Sequence, residues 1–204
     1  MKTWIKNLIY ILPAFVLFNA CTPEIEVPAP VVGTADFNKY IAVGNSLTAG
    51  YGDNGLYSEG QMQSYPSMIS QQMNEITQSE FRQPDIPGNG SGYMYLTSLA
   101  PTFGQFDANP NWLDQLEGSF NNLGVPGIRV KDITFKGYGS SPQVNPYFYR
   151  MLGGKDANMS YLEMVGGNPP TFFTSWMGNN DVLGYGSTGG AGGIVGAPGT
   201  GLGG

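Results

Sequence analysis

The chain has no histidine and a single cysteine, Cys21, among its 204 residues. Without histidine, the side chain that most often moves protons near neutral pH is missing. With one cysteine, no intramolecular disulfide and no cysteine cluster can form. Both absences empty the usual ligand sets for zinc and other transition metals, so neither a metal nor another cofactor is expected. Charge is scarce as well. Only 12% of residues are charged, and nine Lys and Arg face fifteen Asp and Glu. That balance argues against nucleic acid as a partner, because phosphate recognition needs clustered cations. The glycine-rich end lacks a Gly-Lys-Ser/Thr sequence, so it is not a phosphate-binding loop.

Glycine is abundant instead, at 31 residues, and apolar content is an ordinary 41%. The length suits one domain with a real hydrophobic core. At the start, Lys2 and Lys6 precede an apolar stretch, Leu8–Phe18, interrupted by Pro13. It is too short to span a bilayer and reads as a signal peptide over residues 1–20. Ala20-Cys21 resembles a lipoprotein processing site, which implies lipidation of Cys21. An ordinary signal peptide with an incidental cysteine is the alternative. Removing Lys2 and Lys6 from the nine basic residues leaves seven against fifteen acidic, a net charge of −8. Residues 21–35, with Pro23, Pro28 and Pro30, read as an extended tether. Glu24 and Glu26 after the cysteine resemble the surface-export signals of some Bacteroidetes lipoproteins. The expectation is an exported protein, lipid-anchored to the outer membrane and facing the periplasm or the cell surface.

The folded part is expected over residues 36–183, as an α/β domain. Tyr40–Val43 is a short apolar run that reads as a buried strand. Gly50–Gln63 reads as a polar loop. Ser64 caps a helix with Pro66 in its first turn and Met68, Ile69, Met73 and Ile76 at helical spacing. Residues 80–112, rich in proline, glycine and aromatics, read as a long irregular insertion. Asn111–Gly118 reads as a helix with Asp114 and Glu117 on its solvated face. Phe120–Val125 and Thr171–Trp176 are the second and third strands. Asp132–Phe135 starts a short helix or strand, and Asn145–Leu152 and Ser160–Val165 are short helices. Residues 184–204 hold 11 glycines and no charge, and read as a tail without enough side-chain surface to order itself.

Ser46 follows the first strand and Gly44, where open α/β sheets place their sites. It is a candidate nucleophile, but a serine needs a base beside it. Three segments then fall in order. Gly44-Asn45-Ser46-Leu47 resembles the Gly-Asp-Ser-Leu block of the GDSL, or SGNH, hydrolases. Asn122 to Gly127 resembles that family's second block, Asn-x-x-x-x-Gly. Gly178-Asn179-Asn180-Asp181 matches its third, Gly-x-Asn-Asp.

The resemblance implies a flavodoxin-like three-layer α/β/α fold with a parallel sheet. It also implies a serine esterase or acylhydrolase acting on a lipid or acetylated-carbohydrate ester. Ser46 would be the nucleophile, and the oxyanion hole would comprise the Ser46 and Gly127 N–H groups and the Asn180 amide. Asn45, Asn122, Gly178 and Asp181 would support it, Asp181 by bracing its loop. Two departures are visible. Asn45 stands where the family has Asp, and the family's Asp-x-x-His block is absent. That block lies well downstream in the family, and 23 residues follow Asp181 here. The expectation is therefore the amino-terminal part of a larger hydrolase, weak or inactive alone. The alternative is a non-catalytic surface lipoprotein that binds glycan or lipid through residues 80–112. Tyr51, Tyr57 and Tyr65 either line a pocket or pack against the core.

Overall fold

The computed structural model describes residues 27–100 and 102–191. The leader, Cys21 and most of the tail lie outside the described residues. The chain separates into Met1–Val31 and Val32–Gly204. Residues 27–31 carry no helix or strand.

The second unit is mixed α/β around a three-stranded parallel sheet, ordered β4-β1-β5. The strands are β1 (Tyr40–Gly44), β4 (Asn122–Gly124) and β5 (Phe172–Trp176). Gly44 lies level with Gly124 and with Trp176, so all three strands end together. β1 alternates between two cores, as a strand covered on both faces must. Ile41 packs with Leu123, Val125, Phe148, Met151, Tyr161 and Met164. Those partners come largely from helices α4 (Pro146–Arg150) and α5 (Tyr161–Gly166). Tyr40 and Ala42 point the other way and pack with Met73 and Ile69 of α3 (Tyr65–Asn74). Ser64 caps α3 by accepting the Ser67 N–H.

Several expectations from sequence are corrected. The stretch 50–63 is not all loop: α2 (Ser58–Met62) forms within it. Its Gln61 is buried and clamps the insertion, donating to the Pro84 carbonyl and accepting the Ile86 N–H. Residues 80–112 are not wholly irregular, because β2 (Tyr93–Leu96) and β3 (Phe103–Phe106) form an antiparallel hairpin. Aromatic rings pack in a row on it: Tyr57 stacks 4.0 Å from Tyr93, and tilted pairs follow, Tyr93 4.8 Å from Phe106 and Phe106 4.4 Å from Tyr95. A two-stranded hairpin is marginal alone, and such ring pairs each add about 0.5–1.5 kcal/mol. The helix expected over Asn111–Gly118 is only a turn, and Glu117 instead bridges to Gly153. Finally, order does not stop at 183, since α6 runs Asn179–Ser187. The expected strand over Phe120–Val125 is trimmed to β4, and the segment at Asp132 is a 3-10 turn, Val130–Asp132.

Candidate functional site

The three blocks meet at the carboxyl ends of the parallel strands. Ser46 opens α1 (Ser46–Ala49), a single turn that leaves β1 at Gly44. As the first residue of a helix, its N–H has no intrahelical acceptor. Asn45 caps the turn, its side-chain oxygen accepting the Leu47 N–H at 3.2 Å. Two glycines let α1 sit this low on the sheet. A Cβ on Gly44 would collide with the Thr48 side chain, and one on Gly124 would meet the Ala49 backbone. Thr48 and Ala49 are buried there.

Asn122 is buried beneath the turn. Its amide nitrogen donates to the Thr48 carbonyl at 2.9 Å and to Gln83 at 2.8 Å. Its oxygen accepts the Gly124 N–H at 2.9 Å. Tyr161 adds a second tie between strands. Its hydroxyl accepts the Gly44 N–H at 3.0 Å and donates to the Leu123 carbonyl at 2.7 Å. Burial raises the Tyr161 phenol well above its ordinary pKa, so it acts here as a fixed neutral strut.

After β4 the chain turns through Val125-Pro126-Gly127-Ile128, with the Ile128 N–H donated to the Val125 carbonyl at 3.2 Å. Proline second and glycine third, the latter at φ +84°, is the type II pattern. Gly127 is exposed, and its N–H finds no acceptor among the described residues.

The third block fastens the other two. Gly178, at φ +95°, leads into α6. Asn179 accepts a hydrogen bond from the Asn45 amide, next to Ser46. Asn180 donates to the Ile128 carbonyl at 2.9 Å, next to Gly127. The Asp181 carboxylate accepts the Val130 N–H, at 3.1 and 3.0 Å to its two oxygens. Three successive residues thus hold the loop after β1 and the loop after β4. One of the two Asn180 N–H groups is spent on Ile128, which leaves the other to offer. Asn45 is fully buried with both ends of its amide engaged, so an uncharged side chain is satisfied at this position.

Beside this knot lies an open groove of about 440 Å³, lined by Leu47, Tyr51, Tyr57, Gln63, Tyr65 and Trp176. The three tyrosines do both things weighed from sequence. They line the groove, and they also pack: Tyr57 on Tyr93, Tyr51 edge-on to Tyr147, Tyr65 tilted on Trp176. Burial raises the Tyr51 phenol, and burial with the Asp53 carboxylate pushes Tyr57 up to about 12. Neither can take a proton at neutral pH. Among the described residues, no group of three acidic, histidine or cysteine side chains is placed to hold a metal ion.

Two participants escaped the sequence reading. Asn179 occupied a position without an assigned role, and Asn145 showed only as the start of a helix before Pro146. Their partners lie 134 and 19 residues away, at Asn45 and Pro126. No family model, curated protein or solved structure matches the chain.

Proposed function

We propose that this chain carries the acceptor half of an acyl-transfer site on a flavodoxin-like three-layer fold of the SGNH hydrolase type. The supporting observation is the fastening of Asn45 and Ile128 by Asn179 and Asn180, which gathers Ser46, the Gly127 N–H and the Asn180 amide at one sheet end. In this reading the Ser46 Oγ attacks an ester carbonyl carbon and the alcohol departs. The oxyanion meets the Ser46 and Gly127 N–H groups and the free Asn180 N–H. Water then releases the acid. Such donors act on charge that develops only in the transition state, and each is worth about 3–4 kcal/mol. Histidine is absent, so the Oγ proton passes to water or an added base, which returns a proton to the departing alcohol. Catalysis is then limited to the roughly thousandfold over water that oxyanion stabilisation and binding alone sustain. The substrate is a lipid or acetylated-carbohydrate ester, and lipidated Cys21 anchors the exported protein to the outer membrane.

The test is hydrolysis of nitrophenyl acetate by the purified chain, with and without imidazole as an external base. Trace turnover is expected without imidazole. A saturable, protein-dependent increase is expected with it, and Ser46→Ala should remove that increase. A rate indifferent to Ser46→Ala refutes the reading. Strong turnover without imidazole that Ser46→Ala abolishes refutes the claim that a base is missing.

A second reading, ligand binding without hydrolysis, has one observation in its favour. Tyr95, Phe103 and Phe106 of the hairpin are exposed aromatic rings. It predicts binding to oligosaccharides or lipid vesicles that Tyr95→Ala weakens and Ser46→Ala leaves alone. No binding to either ends it.

A further inference from the structure

We infer that Asn145 is a positioning residue that aims the Gly127 N–H at the reacting carbonyl oxygen; this rests on the acyl-transfer reading. A type II turn presents its central peptide edge-on, with that peptide's carbonyl and N–H pointing to opposite sides. Here the central peptide is Pro126–Gly127. Its carbonyl points into the protein and accepts the Asn145 Nδ2 at 2.9 Å. Because the peptide is planar and trans, fixing the carbonyl inward fixes the Gly127 N–H outward. That N–H has no acceptor among the described residues.

Asn145 is itself immobilised. It is 6% exposed. Its Nδ2 also donates to the Tyr138 hydroxyl at 3.1 Å, and its Oδ1 accepts the Phe148 N–H at 2.8 Å as the cap of α4. A peptide free to flip would trade the type II turn for type I, and its N–H would swing away from the oxyanion. One buried amide therefore joins two tasks, starting α4 and locking the donor peptide.

The two tasks separate by substitution. Asn145→Asp keeps an oxygen to cap α4, since aspartate caps as well as asparagine. It replaces the Nδ2 donor with a carboxylate oxygen that repels the Pro126 carbonyl. In the imidazole-supported ester assay, Asn145→Asp should lower kcat roughly tenfold or more and leave KM within about twofold, the signature of a loss in the transition state alone. The Gly127 amide resonance should shift, those of α4 should stay, and the Gly127 shift should revert as acid protonates the new carboxyl. Tyr138→Phe, which spares the Pro126 bond, should leave kcat within about twofold. A Ser46-dependent rate that Asn145→Asp does not change overturns the positioning role alone. A rate indifferent to Ser46→Ala overturns the reading beneath it. Should Asn145→Asp not fold, hydrogen exchange on the unmodified chain decides. The Asn145 amide protons should exchange slowly and the Gly127 N–H freely; a protected Gly127 N–H overturns the inference.

Discussion

Glu163 ionises within a helix cap and so makes stability depend on acid pH. It closes the capping box at Ser160 and pairs with Lys136 at 3.1 Å. The Ser160 backbone N–H, the Ser160 hydroxyl and Lys136, in that order, draw its carboxyl down from 4.5 to about 2. A depressed carboxyl stabilises the fold above its unfolded pKa, and that contribution fades as pH falls through the folded value. Melting temperature should therefore drop between pH 4.5 and about 2, and Glu163→Ala should flatten that part of the curve. Gly127→Ala tests a different strain. At φ +84°, with the nearest heavy atom to a new Cβ 3.8 Å away, there is no clash, only a left-handed backbone. Urea unfolding should show a loss of about 1–2 kcal/mol. The positions of Ser46, Gly127 and Asn180 were legible because short blocks mark them. Asn145 and Asn179 were not, because an asparagine's partner across a fold leaves no local pattern.

Elements were legible where burial and period agreed. β1, β5, α3, α4 and α5 have apolar runs or caps that say what they are. α2 does not: Ser58-Glu59-Gly60-Gln61-Met62 is polar, and its shape is set by distant contacts. Gly60 packs against the Gly50 carbonyl, and Gln61 clamps Pro84 and Ile86. The hairpin was hidden for a related reason. Tyr93-Met94-Tyr95-Leu96 has no polar alternation, and its register depends on Tyr95 lying across Gly104. Between elements, the Tyr161 hydroxyl joins α5 to the ends of β1 and β4. Tyr161→Phe would remove a hydroxyl that bonds both the Gly44 N–H and the Leu123 carbonyl, two groups that also belong to the β1–β4 ladder. The expected cost is about 1–2 kcal/mol in chemical denaturation with little change in spectroscopic helix content.

At the scale of the molecule, the parallel α/β architecture followed from three strands separated by helical segments, while the strand order did not. That order puts the first strand in the middle, between partners far along the chain. β5 pairs on one side only among the described strands, and Phe173 and Trp176 on it are 61% and 49% exposed. An exposed apolar edge invites association, and a lysine there discourages it. Light scattering should show concentration-dependent self-association that Phe173→Lys reduces without lowering the melting temperature. The central position of β1 also sets a timetable. Tyr40 pairs with Phe172, 132 residues on, and Asn45 with Asn179, 134 residues on. At about 5–20 residues per second of synthesis, β1 leaves the ribosome on the order of ten seconds before its last partner exists. Wherever the chain folds, the serine turn cannot be fastened until the segment carrying Asn179 reaches it, so a chain cut short before that segment would keep the turn without its clasp.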